Sequence, residues 1–332
     1  MEDRLKLKLD KMISLYEYLR KEYKWNDDFM LRFTAFIYTV HDRAFDREQF
    51  DKMIEHMKTA SARFSHYRSD QAFSIAALLI NKYDNPKEAF NKQLKIEERL
   101  RTSGFKKSSY LCIASYALML TAKEEDWNER IERAAEIYKG MKKDHFWLTG
   151  VDDYPVVILL AASPESSKNI TNNMEECFNK LHEAGFSKSN GLQFLSQILT
   201  FVPKPTEDKI KACKDVFHYL KDNKVKIYYS YYGVIGFLEV LGDETMKAAE
   251  EVVEVYEYLR ANKDFRWLGN DMNVLMATSL VCNEYVQNKV EEQALEEGLI
   301  ATSIETLIAA QTAAIIAATT AATAAITSSA QY

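Results

Sequence analysis

A chain of 332 residues with 47% hydrophobic side chains, 5 prolines and 10 glycines has material for a large core and too few turn formers for an all-β fold. Its 43 basic and 49 acidic residues are interspersed and leave a net charge of -6, without the basic bias of a nucleic-acid binder. The first residues, MEDRLKLKLDKMIS, are charged where a secretory signal needs an apolar run, and four scattered cysteines fit reduced, buried thiols, so a cytoplasmic protein is expected.

In chain order, two kinds of helix alternate. Leu5, Leu9, Met12, Tyr16 and Leu19 open the series as one apolar stripe on a charged segment. The same one-sided pattern returns at Phe50, Met53, Ile54 and Met57, at Trp127, Ile131, Ala134, Tyr138 and Met141, and at Ile170, Met174, Cys177, Phe178 and Leu181. Between these lie segments that are apolar nearly all round, at 72–80, 111–120, 156–162, 234–240 and 274–281. A helix without a polar face must be covered on most sides. The expectation is therefore an inner layer of apolar helices covered by one-sided ones.

An aromatic or apolar mark precedes each apolar segment: Trp25, Phe64, Phe105, Phe146, Phe186, Val225 and Phe265, spaced 39, 41, 41, 40, 39 and 40 residues apart. A fixed period of this length is the signature of stacked supersecondary units. The fold class predicted is all-α, an α/α-hairpin repeat array of about seven hairpins over residues 1–290, either an open solenoid or a closed toroid. Pro86 is expected to open a helix, Pro203 and Pro205 to break one, and Gly104 and Gly185 to end one. Asp28, Asp70, Ser108, Asp152, Ser189 and Asn270 stand near the starts of apolar helices, where capping accounts for them.

After Glu305 no charged residue follows, and residues 294–332 form a separate Ala-, Thr- and Ile-rich segment. Ile300, Ile304, Leu307, Ile315 and Ile326 follow helical spacing and predict one long helix with a narrow apolar stripe, suited to docking on this chain or pairing with a second copy. Ala and Thr contribute little to insertion, so no membrane span is expected.

Two constellations stand out as candidate chemistry. Asp152 and Asp153, beside Tyr154, form a carboxylate pair at a helix start, a place where toroidal α/α enzymes often carry their acids; a cap plus a solvated neighbour explains them without catalysis. Tyr228, Tyr229, Tyr231 and Tyr232 form a stacking platform for a sugar, base or peptide, or else core plus rim. The six histidines show no metal-ligand spacing, and no phosphate loop or nucleophile elbow occurs, so neither metal nor cofactor is expected.

Segments such as LRTSGFKKSSYLCIASYALML look like pentatricopeptide repeats, but the period and the acidic charge do not fit that family. The strings RTSGFKKSSYLCIASYALML, FRWLGNDMNVLMATSLV and IETLIAAQTAAIIAATTAATAA resemble a bacterial family, domain of unknown function four-thousand-and-three. That resemblance covers nearly the whole chain and implies no activity. The functional expectation is a non-enzymatic scaffold that binds a protein or peptide. The alternative is an α/α-toroid enzyme or small-ligand or carbohydrate binder using Asp152, Asp153 and the tyrosine cluster.

Overall fold

The structure, a computed structural model, describes residues 3–63 and 65–292. Among these the chain forms fourteen α-helices and no strand, which is the expected all-α class. In order they are α1 (Asp3–Glu22), α2 (Asp28–Val40), α3 (Arg47–Ala60), α4 (Gln71–Lys82), α5 (Pro86–Thr102), α6 (Ser109–Thr121), α7 (Trp127–Asp144), α8 (Tyr154–Leu160), α9 (Ser167–Glu183), α10 (Asn190–Ile198), α11 (Thr206–Asp222), α12 (Gly233–Glu239), α13 (Thr245–Ala261) and α14 (Asn270–Glu292). The mark Phe64 and the predicted tail helix, with Ile300, Ile304, Leu307, Ile315 and Ile326, lie outside the described residues, as does the segment proposed for self-association.

The odd-numbered helices bury one stripe. In α3 that stripe is Phe50, Met53, Ile54 and Met57, spaced for one face of a 3.6-residue period, while the residues between them meet solvent. The even-numbered helices bury nearly everything: in α2 each residue from Met30 to Val40 is buried, and in α8 all seven are. Each fully buried aliphatic side chain contributes roughly 1.5–3 kcal/mol, which offsets the weak helix propensity of Val, Ile and Phe in these segments.

Several helix ends follow the sequence. Pro86 occupies the first turn of α5, Gly104 and Gly185 take φ of 98° and 103° after α5 and α9, and Ser108 and Ser189 accept hydrogen bonds from the Leu111 and Leu192 amides. Others do not. Asp27, not Asp28, caps α2 by accepting from the Met30 amide, and Asp28 instead receives the Tyr16 hydroxyl at 2.7 Å and the Arg32 guanidinium. Asp70 makes no capping bond and accepts from the Asn26 amide at 3.0 Å; Asn270 accepts from Tyr256 at 3.1 Å. In each case a side chain supplies a donor, Tyr16, Asn26 and Tyr256 coming from outside the helix concerned.

Every odd helix packs on the even helix that follows it, from α1 with α2 to α13 with α14. The buried helices also meet one another: α2 with α4, α6 with α8, α10 with α12, α12 with α14, and α14 with α2. Side chains bridge the remaining neighbours, Gln71 donating to the Ser109 carbonyl at 3.2 Å and Gln193 and Gln197 donating to Asp153. The first and last helices among the described residues are thus in contact. Buried Lys8 of α1 pairs with buried Glu284 of α14, which also receives Arg4 at 3.0 Å; Asn283 donates to the Val40 carbonyl, and Arg32 to the Asp264 carbonyl at 2.7 Å.

The marks divide into two groups. Phe105, Phe186, Val225 and Phe265 are buried, whereas Trp25 and Phe146 are exposed. At these two places neighbours fill the core slot: Tyr23 packs edge-on against Phe50 and Phe73, and His145 lies 4.3 Å from Phe178. Two marks share a further device. Tyr154 packs on Phe105 and accepts from the Lys106 amide at 3.1 Å, and Tyr232 packs on Phe186 and accepts from the Ser187 amide at 3.4 Å. A tyrosine from the next buried helix therefore pins the turn after the mark by its ring and its hydroxyl.

Candidate functional site

The turn before α8 sets the two carboxylates at different depths. A 3-10 turn over Val151–Asp153 follows Gly150, and a Cβ at Gly150 would stand 2.4 Å from an Asp152 oxygen, so only glycine leaves that carboxylate its place. Asp152 is half-buried and accepts from the Asn190 amide at 3.4 Å. Asp153 turns inward. One of its oxygens accepts from Gln193 at 3.1 Å and Gln197 at 2.8 Å, and the other from the Gly150 amide at 2.9 Å.

This corrects the reading of the pair as a cap with a solvated neighbour. Asp153 is 7% exposed and neither carboxylate caps α8. Among the described residues no cation reaches Asp153, and every donor to it is a neutral amide. Burial drives its carboxyl up from the ordinary range to about 7, and the neighbouring Asp152 charge adds to the rise against the pull of the three donors. Burial raises Asp152 as well, and together burial and the two carboxylates push the Tyr110 hydroxyl up to about 12.

Both constellations from the sequence open onto one cavity of about 460 Å³. Its walls come from the starts of α6 (Tyr110), α8 (Asp152, Asp153, Pro155, Val156), α10 (Lys188, Ser189, Asn190, Gly191, Phe194) and α12 (Tyr229, Ser230, Tyr231, Gly233, Val234, Phe237), with Leu275 of α14. Gly191 allows α10 to approach so closely that a Cβ would meet the Tyr229 carbonyl oxygen at 2.1 Å, and Ser189 donates to that same oxygen at 2.9 Å. The tyrosine turn is thereby fastened to the start of α10.

The tyrosines separate by role. Tyr229 and Tyr231 line the cavity, the first exposed and the second half-buried, with burial and then Asp271 raising the Tyr231 hydroxyl. Tyr228 is exposed and outside the lining, and Tyr154 and Tyr232 are engaged in the packing device described above. Tyr110, Lys188, Phe194, Gln193 and Gln197 were not singled out from sequence. The glutamines carried a readable signal: two amides four residues apart inside an apolar helix need a buried partner. Among the described residues no three His, Cys, Asp or Glu side chains gather as metal ligands, and no helix is long and apolar enough to cross a membrane.

Fold and cavity define an all-helical protein of successive helix pairs with an acid- and tyrosine-lined pocket. The chain belongs to the DUF4003 family of proteins of unknown function, whose model matches residues 15–313 and so takes in every pocket residue. It is similar to the uncharacterized protein YeaA of Bacillus subtilis (strain 168), with 28% identity over 300 residues, or 89% of this chain and 88% of that one. No solved structure matches it.

Proposed function

We propose that the helix pairs close into an α/α toroid and that the protein binds a small ligand in the cavity at one mouth of that ring. The observation that carries this reading is the meeting of Asp152, Asp153, Tyr229 and Tyr231 around a single cavity of about 460 Å³. Closure is supported by the Lys8–Glu284 pair and the contact of α14 with α2. The cavity lies within the roughly 300–1,000 Å³ of small-molecule sites, and apolar walls with a few convergent polar groups are their usual make-up.

Binding rather than turnover is favoured by the way Asp153 is used. Both of its oxygens are occupied by donors of the protein itself, and among the described residues neither a nucleophile nor a second base is bonded to it. Ligand-observed NMR with a fragment library tests the reading. Hits are expected for the full chain and should be lost in Val234→Trp, which fills the cavity, and in Asp152→Leu. Hits that persist in both folded variants would remove the cavity as the site.

A non-enzymatic scaffold for a protein or peptide is the second reading. It is supported by the exposed rings of Trp25, Phe146 and Trp147, the first 89% and the last 92% exposed, in turns that lead into buried helices. Replacing all three with Ser should then abolish capture of a partner without touching fragment binding.

A further inference from the structure

The depth profile of the cavity constrains the chemistry of its ligand beyond the pocket reading, on which this inference rests. The apolar part of the lining is Pro155, Val156, Phe194, Val234, Phe237 and Leu275, while the buried polar lining residues Asp153 and Ser189 already hydrogen-bond within the protein. A hydroxylated ring pushed against that wall would bury polar groups without partners. The body of the ligand must be apolar.

The mouth is the reverse. Asp152 and Lys188 both line it and carry opposite charges, and neither forms an ion pair among the described residues. Lys188 and Asn190 are exposed and Asp152 half-buried, so the charged groups sit at the wet end while the apolar wall lies inside. Asn190 donates to the Asp152 carboxylate at 3.4 Å before any ligand arrives. A pair of unmatched opposite charges at one end of an apolar slot is complementary to a head that carries both an ammonium and an acidic group.

We propose that the cavity binds a zwitterion with a hydrophobic body, the chemistry of a free aliphatic or aromatic amino acid, with its ammonium on Asp152, its carboxylate on Lys188 and its side chain against Phe194, Val234 and Leu275. Tyr110 and Tyr231 line the same cavity, the Tyr231 hydroxyl 3.9 Å from the Met272 sulfur, and Asp153 and its glutamines hold the wall of the slot rather than the ligand.

Isothermal titration of the full chain with four probes tests this: L-phenylalanine, phenethylamine, 3-phenylpropionate and glucose. Phenylalanine should bind about tenfold or more tightly than either singly charged analogue, since it alone makes both charge-assisted hydrogen bonds, and glucose should not bind. Asp152→Asn should weaken phenylalanine and phenethylamine while sparing phenylpropionate, and Lys188→Gln should weaken phenylalanine and phenylpropionate while sparing phenethylamine. Phenethylamine or phenylpropionate binding as well as phenylalanine would overturn the zwitterion assignment and leave the pocket reading intact. Glucose binding in preference to all three would overturn it in favour of a carbohydrate. Silence from all four probes likewise overturns it, and the pocket reading then stands or falls by the fragment hits and their loss in Val234→Trp.

Discussion

Two buried carboxylates, Glu284 at the seam between the first and last helices and Asp153 beside the cavity, are handled in opposite ways. Glu284 receives the buried ammonium of Lys8 and the guanidinium of Arg4, so its charge is matched where it is buried. Asp153 receives only the amides of Gln193, Gln197 and Gly150, and burial raises its carboxyl to about 7. A charge that only has to hold two elements together is best met by a countercharge; a carboxyl held by neutral donors keeps a proton that can be exchanged near neutrality. The contrast separates a structural acid from one whose ionisation the protein leaves adjustable.

The largest effect should come from placing a carboxylate where neither arrangement exists. Leu159 is fully buried in the middle of α8, and Leu159→Asp is expected to cost more than about 4 kcal/mol and to abolish cooperative thermal unfolding of the soluble chain. An unchanged melting curve would show that buried acids need no special donors here. Next, Lys8→Met strands Glu284 on a half-exposed Arg4 and should lower stability by about 3 kcal/mol in urea titrations, while the double variant Lys8→Met, Glu284→Met should recover most of that loss. Failure of the double variant to recover would mean that the pair matters for more than its charges.

Asp153 gives the comparison its pH axis. Its carboxyl binds a proton more tightly folded, at about 7, than at the ordinary 3.8 of an unfolded chain, so its contribution is full below about pH 4 and is lost as pH rises through about 7. Stability should fall across that window with a slope of up to about 1.4 kcal/mol per pH unit, and Asp153→Asn should flatten it. Denaturant midpoints at about pH 5 and about pH 8 measure this. A slope that survives the Asn variant would assign the proton elsewhere.

Smaller effects belong to the helix starts. Ser108→Ala should cost about 1 kcal/mol, and Ser189→Ala somewhat more, because the Ser189 hydroxyl also ties the Tyr229 carbonyl across to α10. Asp70→Ala should change stability by no more than a few tenths of a kcal/mol, since Asp70 makes no capping bond. Equal losses at Ser108 and Ser189 would mean that capping, and not the cross-link, sets the cost.

The helices were legible because burial imposes a local period that a single sequence displays. Phe50, Met53, Ile54 and Met57 report one buried face, and the run from Ala72 to Ile80, apolar but for Ser74, reports burial on all sides. The carboxylates and the tyrosines were legible as residue types, and Tyr229 and Tyr231 do meet Asp152 and Asp153 at one cavity. What the pair does was not legible, because the donors that bury Asp153 lie 40 and 44 positions further along, on another helix. Lys8 shows the same limit. In sequence it is one of several charges on a wet face, and only a partner 276 positions away draws it inside. Local pattern reports how much of a residue is covered; it says little about which distant group does the covering.

The seam also changes how the molecule comes apart. In an open stack each unit touches only its neighbours, and the ends fray independently of the middle. In the toroid proposed above, α1 cannot leave without breaking the Lys8–Glu284 pair, nor α14 without also breaking its contact with α2, so the two protect each other. Joining groups that far apart costs about 5 kcal/mol of loop-closure entropy, which must be met late, after the pairs between have formed. The consequence is all-or-none behaviour. Hydrogen exchange of α1 and α14 should follow the global unfolding rate, with the protection otherwise reserved for the centre of a helical stack.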